Sequence, residues 1–138
     1  MFQNIVVPVD LSDRARESIR TALELAAPTG GRVTLLHVIE TLRDVPFEEL
    51  EAFYLELRRR AQLHLEKWQA EFATRGTVWN EIRFGSRATE ILRFVEQHSA
   101  DLIVLASHKL DPERPRESFG TLSHQIGLLA ACPVLLVR

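Results

Sequence analysis

The chain has 138 residues, 46% hydrophobic and 26% charged, a composition that builds one compact core and argues against disorder. Its net charge of −2 leaves no basic excess to neutralise a phosphate backbone, which argues against nucleic-acid binding. A single cysteine, Cys132, allows no internal disulfide and fits a reducing compartment, and the start from Met1 to Asp10 has no basic, then apolar, signal-peptide order. Apolar runs such as Leu102–Ala106 are too short to cross a bilayer, so a cytoplasmic location is expected.

In chain order, Ile5–Val9 predicts a first strand, and Ser12 or Asp13 is placed to cap a first helix. Ile19, Ala22, Leu23 and Ala26 give that helix its apolar stripe, and Pro28 with Gly30-Gly31 ends it. Arg32–Ile39 predicts the second strand. From about Pro46 to Thr74 a long helix is predicted, with a stripe through Phe47, Leu50, Phe53 or Tyr54, Leu57, Ala61, Leu65, Trp68 and Phe72. Thr77–Phe84 alternates as a third strand, and Ser86 opens a third helix through Ala88, Ile91, Leu92 and Val95. Leu102–Ala106 is the fourth strand, a fourth helix runs from near Ser118 to Ala131, and Val134–Val137 is the fifth strand.

Strands apolar on both faces, alternating with helices, predict one α/β domain over residues 1–138: a parallel sheet covered by helices on both faces. If the first strand is central, ligands bind where strand order reverses, beyond the carboxyl ends of the first and fourth strands. The turn at Asp10 and the segment from Ala106 to Thr121 then flank the crevice. The helix opening near Gly120 and Thr121 offers free N–H groups to an anion, Thr121 and Ser123 add hydroxyls, and Lys109, Arg114 and Arg116 add charge that Asp111, Glu113 and Glu117 offset. Asp10 reads equally as a ligand contact or as a helix cap, and Gly120-Thr121 as a phosphate site or an ordinary helix start.

Neither a dinucleotide G-x-G-x-x-G after the first strand nor a P-loop is present. None of His37, His64, His98, His108 and His124 makes a metal-ligand spacing with Cys132 or with another histidine. Cys132 reads as a small apolar side chain, and no G-x-S-x-G elbow activates a serine. The apolar run Val134, Leu135, Leu136 and Val137 would leave an open sheet edge, which predicts a homodimer through that strand.

Five segments, in order, resemble the universal stress protein family over essentially the whole chain: Ile5–Ser12, Leu35–Val38, Gly85–Ile91 as G-x-x-A-x-x-I, Asp101–Leu105, and Cys132–Arg138. The resemblance implies a Rossmann-like five-stranded sheet of order 3-2-1-4-5, related to the adenine nucleotide alpha hydrolases, and usually a homodimer. It implies that some members bind ATP through G-x-x-G, nine residues, then G-[S/T]. Mapped here, Ala106 and Lys109 replace the first two glycines, and Gly120-Thr121 survives one residue late. By the same resemblance Asp10 and Val38 face adenosine, Pro8 and Leu105 line the base pocket, and Leu122 follows the surviving pair. The function implied is a stress-response regulatory module that binds ATP or AMP weakly, with magnesium only alongside the nucleotide. The alternatives are an interaction module that binds no nucleotide and a slow ATP hydrolase with a metal held by Asp10 or the phosphates.

Overall fold

In the computed structural model, residues 1–107, 113 and 121–138 are described. Strands β1 (Asn4–Pro8), β2 (Arg32–Glu40), β3 (Thr77–Gly85), β4 (Leu102–Ala106) and β5 (Val134–Val137) form one parallel sheet of order β3-β2-β1-β4-β5. Helices α1 (Ala15–Ala26), α2 (Glu51–Phe72), α3 (Arg87–Gln97) and α4 (Leu122–Leu129) supply the crossovers. The expected order 3-2-1-4-5 is therefore the one found.

The period of two along each strand feeds two cores. Ile5, Val7, Val33, Leu35, Leu102 and Val104 pack against Ile19 and Leu23 of α1 and Leu65, Trp68 and Phe72 of α2. Val6, Leu36, Val38, Ile103 and Leu105 point the other way, onto Ile91, Phe94 and Val95 of α3 and Ile126 of α4. Each core closes one face, which is why both registers of β1 and β4 are apolar.

Element ends depart from the sequence reading for local reasons. Neither Ser12 nor Asp13 caps α1 through its side chain. The Ser12 hydroxyl is instead spent on Asp10, and the carbonyls of Ser12 and Asp13 accept from Ala15 and Arg16 in a lead-in turn. The long helix is a 3-10 turn at Phe47–Leu50, then α2, then a second 3-10 turn at Ala73–Arg75. Between the two candidates for its stripe, Tyr54 is buried and Phe53 is 59% exposed. Tyr54 stacks on Phe47 with centroids 5.1 Å apart, and its hydroxyl accepts from the Leu42 amide at 2.9 Å. Ser86 occupies the capping position of α3 without a side-chain bond. The last helix ends at Leu129 rather than Ala131, and the expected start at Ser118 lies outside the described residues.

Candidate functional site

β1 sits at the centre of the sheet, between β2 and β4, where the direction of winding reverses. It pairs with β2 as far as Pro8↔Leu36, but with β4 only at Ile5↔Leu102 and Val6↔Ile103. Proline explains the early parting. The Val9 amide donates to the Leu36 carbonyl at 2.9 Å, so alternation aims the neighbouring nitrogen, that of Pro8, toward β4. Proline has no hydrogen there to donate. The β1–β4 ladder ends there, and a hollow of about 240 Å³ lies at the carboxyl ends of the two strands.

The hollow gathers residues far apart in the chain. Pro8, Val38, Leu36, Ile91 and Leu105 give it apolar walls. Asp10 enters from the turn after β1, Ala106 from the end of β4, and Thr121, Leu122 and Ser123 from the opening of α4. Seven of the expected site residues, Pro8, Asp10, Val38, Leu105, Ala106, Thr121 and Leu122, thus border one cavity. Lys109 and Gly120 lie outside the described residues. Arg87, Leu36 and Ile91 border it as well and were missed from sequence. A signal existed for Arg87: it is a cation in the first turn of a helix, the end that favours acids.

The Asp10 turn is locally built. Oδ1 of Asp10 accepts from the Ser12 amide at 2.9 Å and from the Ser12 hydroxyl at 2.6 Å, an Asx-turn. Oδ2 accepts from Arg14 at 3.3 Å. Burial pulls the Asp10 carboxyl up, but the two Ser12 bonds and the Arg14 charge together outweigh it and hold the group below its ordinary value. Leu11, between them, has φ 70°. A leucine in the left-handed region costs about 1–2 kcal/mol, offset here by its packing against the α1 core. Asp10 does not cap α1, whose N-cap position is Arg14: its carboxylate closes the turn ahead of the helix, and the residue borders the hollow.

β2 braces this turn. Nδ1–H of His37 donates to the Val9 carbonyl at 2.8 Å. Burial lowers the His37 pKa, the Val9 carbonyl raises it, and the nearby Arg87 charge lowers it again; the net direction is downward, so the ring stays neutral into acid. Across the cavity, Thr121 is the N-cap of α4 and its Oγ1 accepts from the His124 amide at 3.4 Å. Oγ1 also lies 3.2 Å from Oγ of Ser123, so two hydroxyls border the hollow at a helix start. Among the described residues no group of three or more His, Cys, Asp or Glu side chains could hold a metal ion, and no helix is long and apolar enough to cross a membrane. Burial, then the charge of Asp101, push the Cys132 thiol up, which suits an unreactive side chain.

Comparison with known proteins agrees with this architecture. The universal stress protein family matches residues 1–138. A universal stress protein of Thermus aquaticus, encoded 3′ of a QAH/OAS sulfhydrylase gene, is 32% identical over 100% of both chains. The solved universal stress protein UspA from Lactobacillus plantarum is 26% identical and superposes with a TM-score of 0.82, covering 99% of this chain and 98% of that one. The universal stress protein from Archaeoglobus fulgidus in complex with dAMP shares the fold at 23% identity and a TM-score of 0.68, over 99% of this chain and 98% of that one. With the strand order, the open switch point and a family match running the length of the sequence, the chain belongs to the universal stress protein family.

Proposed function

We propose that this chain is a regulatory module that holds an adenine nucleotide in the hollow at the end of β1, and that it acts as a homodimer in the cytoplasm. The observation that carries the nucleotide reading is convergence: apolar side chains of Pro8, Val38 and Leu105 line one hollow together with the Asp10 carboxylate and the Thr121 and Ser123 hydroxyls. A flat heterocycle suits the slot, a sugar hydroxyl suits a carboxylate acceptor, and a phosphate suits hydroxyls at a helix N-terminus. The dAMP complex of the similarly folded Archaeoglobus fulgidus protein supports the same ligand class. With Ala106 in place of glycine, the backbone has less freedom to wrap a phosphate, so monophosphates are expected to bind about as well as ATP.

Calorimetry and thermal shift with AMP and ATP, with and without magnesium, test this. Binding is expected, with AMP within about tenfold of ATP, a gap of about 1.4 kcal/mol. A hundredfold excess of AMP over its Kd should stabilise the fold by about 2.7 kcal/mol. Asp10→Ala should weaken AMP, and Thr121→Val should weaken AMP more than adenosine. Millimolar AMP and ATP that neither bind nor raise the melting temperature would overturn the reading and leave the module without a nucleotide. Phosphate release well above background, lost in Asp10→Ala, would instead mark a hydrolase.

A further inference from the structure

Arg87 is the one cationic side chain among the described residues that border the hollow. It begins α3, where the helix dipole disfavours positive charge. Glu40, at the end of β2, offsets that placement with Oε1 3.5 Å from Nε of Arg87. The two side chains are 45% and 59% exposed, so the contact adds little stability of its own. An arginine set against the helix dipole for so weak a pair has a second partner to account for.

Position tells which part of a ligand it meets. Along the sheet the order β2, β1, β4 places Glu40 on one side of the Asp10 turn and the opening of α4 on the other. The Thr121 and Ser123 hydroxyls lie on the β4 side. Arg87 lies on the β2 side, beside Glu40, and borders the hollow together with Val38 of β2 and with Ile91, one turn further along its own helix. The α4 hydroxyls and the cation are therefore on different sides of the Asp10 turn, and Arg87 shares its side with Val38.

We propose that Arg87 is a base-contacting residue: its planar guanidinium covers the heterocycle seated on Val38 and Ile91. This inference rests on the nucleotide reading above. A guanidinium meets a carboxylate through its edge and stacks on a π-system through its face, so the Glu40 contact at Nε leaves the face free for a ring. The stack would cover a base resting on apolar side chains, and the attraction is that of a cation over an aromatic face. Lysine lacks the plane and cannot do both.

Titration calorimetry with adenosine, AMP and ATP on the wild type, Arg87→Ala and Arg87→Lys separates the outcomes. Arg87→Ala should weaken all three ligands by a common factor, about three- to thirtyfold. Arg87→Lys should recover little of it. A loss that grows from adenosine to ATP would make Arg87 a phosphate contact and overturn the inference. Unchanged affinities would overturn it while the nucleotide reading stood. A wild type that binds none of the three would remove both. The unliganded melting temperature of Arg87→Ala should stay within about 2 °C of wild type, as for other exposed ion pairs; a larger fall would assign Arg87 to the scaffold and overturn its role at the base.

Discussion

His37 shows how one side chain ties stability to the site. Its Nδ1–H holds the Val9 carbonyl, one residue before Asp10. Burial keeps its folded pKa below the 6.5 of an unperturbed histidine. As pH falls through 6.5 the unfolded chain takes up a proton that the folded chain resists, so stability is present above 6.5 and declines below it, levelling off under the folded pKa. The melting temperature should therefore rise between pH 5.5 and 7.5, and His37→Gln should flatten that rise; an unchanged slope would show that the ring does not govern it. Asp10 works in the same direction in a lower pH range. Its folded pKa lies below the reference 3.8, so its contribution is present above that value and is lost as pH drops through the depressed one.

Among the elements, the start of β1 depends on a close approach that no side chain would permit. A Cβ on Gly31 would lie 2.8 Å from the Cα of Gln3 and 2.8 Å from the Phe2 carbonyl oxygen. These are backbone atoms, so neither can swing aside, and the Gln3 carbonyl accepts from Arg32 at 2.9 Å to begin the β1–β2 ladder. Gly31→Ala should cost about 1–3 kcal/mol in denaturant unfolding, the scale of overpacking. A variant within about 0.5 kcal/mol of wild type would show that the strand start can shift. The end of the same strand carries Pro8, whose missing donor ends the ladder to β4 beside the hollow.

For the whole molecule, the open question of shape is what covers β5. It is an edge strand, with Leu135 37% and Leu136 48% exposed. Leu128 and Leu129, at the end of α4, are 72% and 68% exposed. The free side of an edge strand, beside an apolar patch, favours pairing with a second copy. Light scattering at micromolar concentration should give a dimer, and Leu136→Lys should shift it to monomer. A wild-type monomer under those conditions would refute homodimerisation through Val134, Leu135, Leu136 and Val137.

Much of this was legible in the residues. Runs such as Ile5–Val9 and Leu102–Ala106 are apolar at both registers, and only a strand covered on both faces makes use of that. Their alternation with amphipathic helices determined the parallel sheet, while the strand order came only with the family resemblance that five segments carry, and a central first strand makes the turn at Asp10 one wall of a crevice. Local pattern did not decide who meets whom. Tyr54 was separated from Phe53 by the partners it finds, the Phe47 ring and the Leu42 amide. Ser12 left its capping role because a nearer carboxylate, Asp10, took its hydroxyl. Arg87 joined the site because β2 and α3, adjacent in space and separated by some fifty residues of chain, converge on Glu40. Periodicity records the face an element buries, since burial repeats with the backbone. A binding hollow is made of non-repeating contacts between elements, and only the packed sheet brings those side chains within reach of one another.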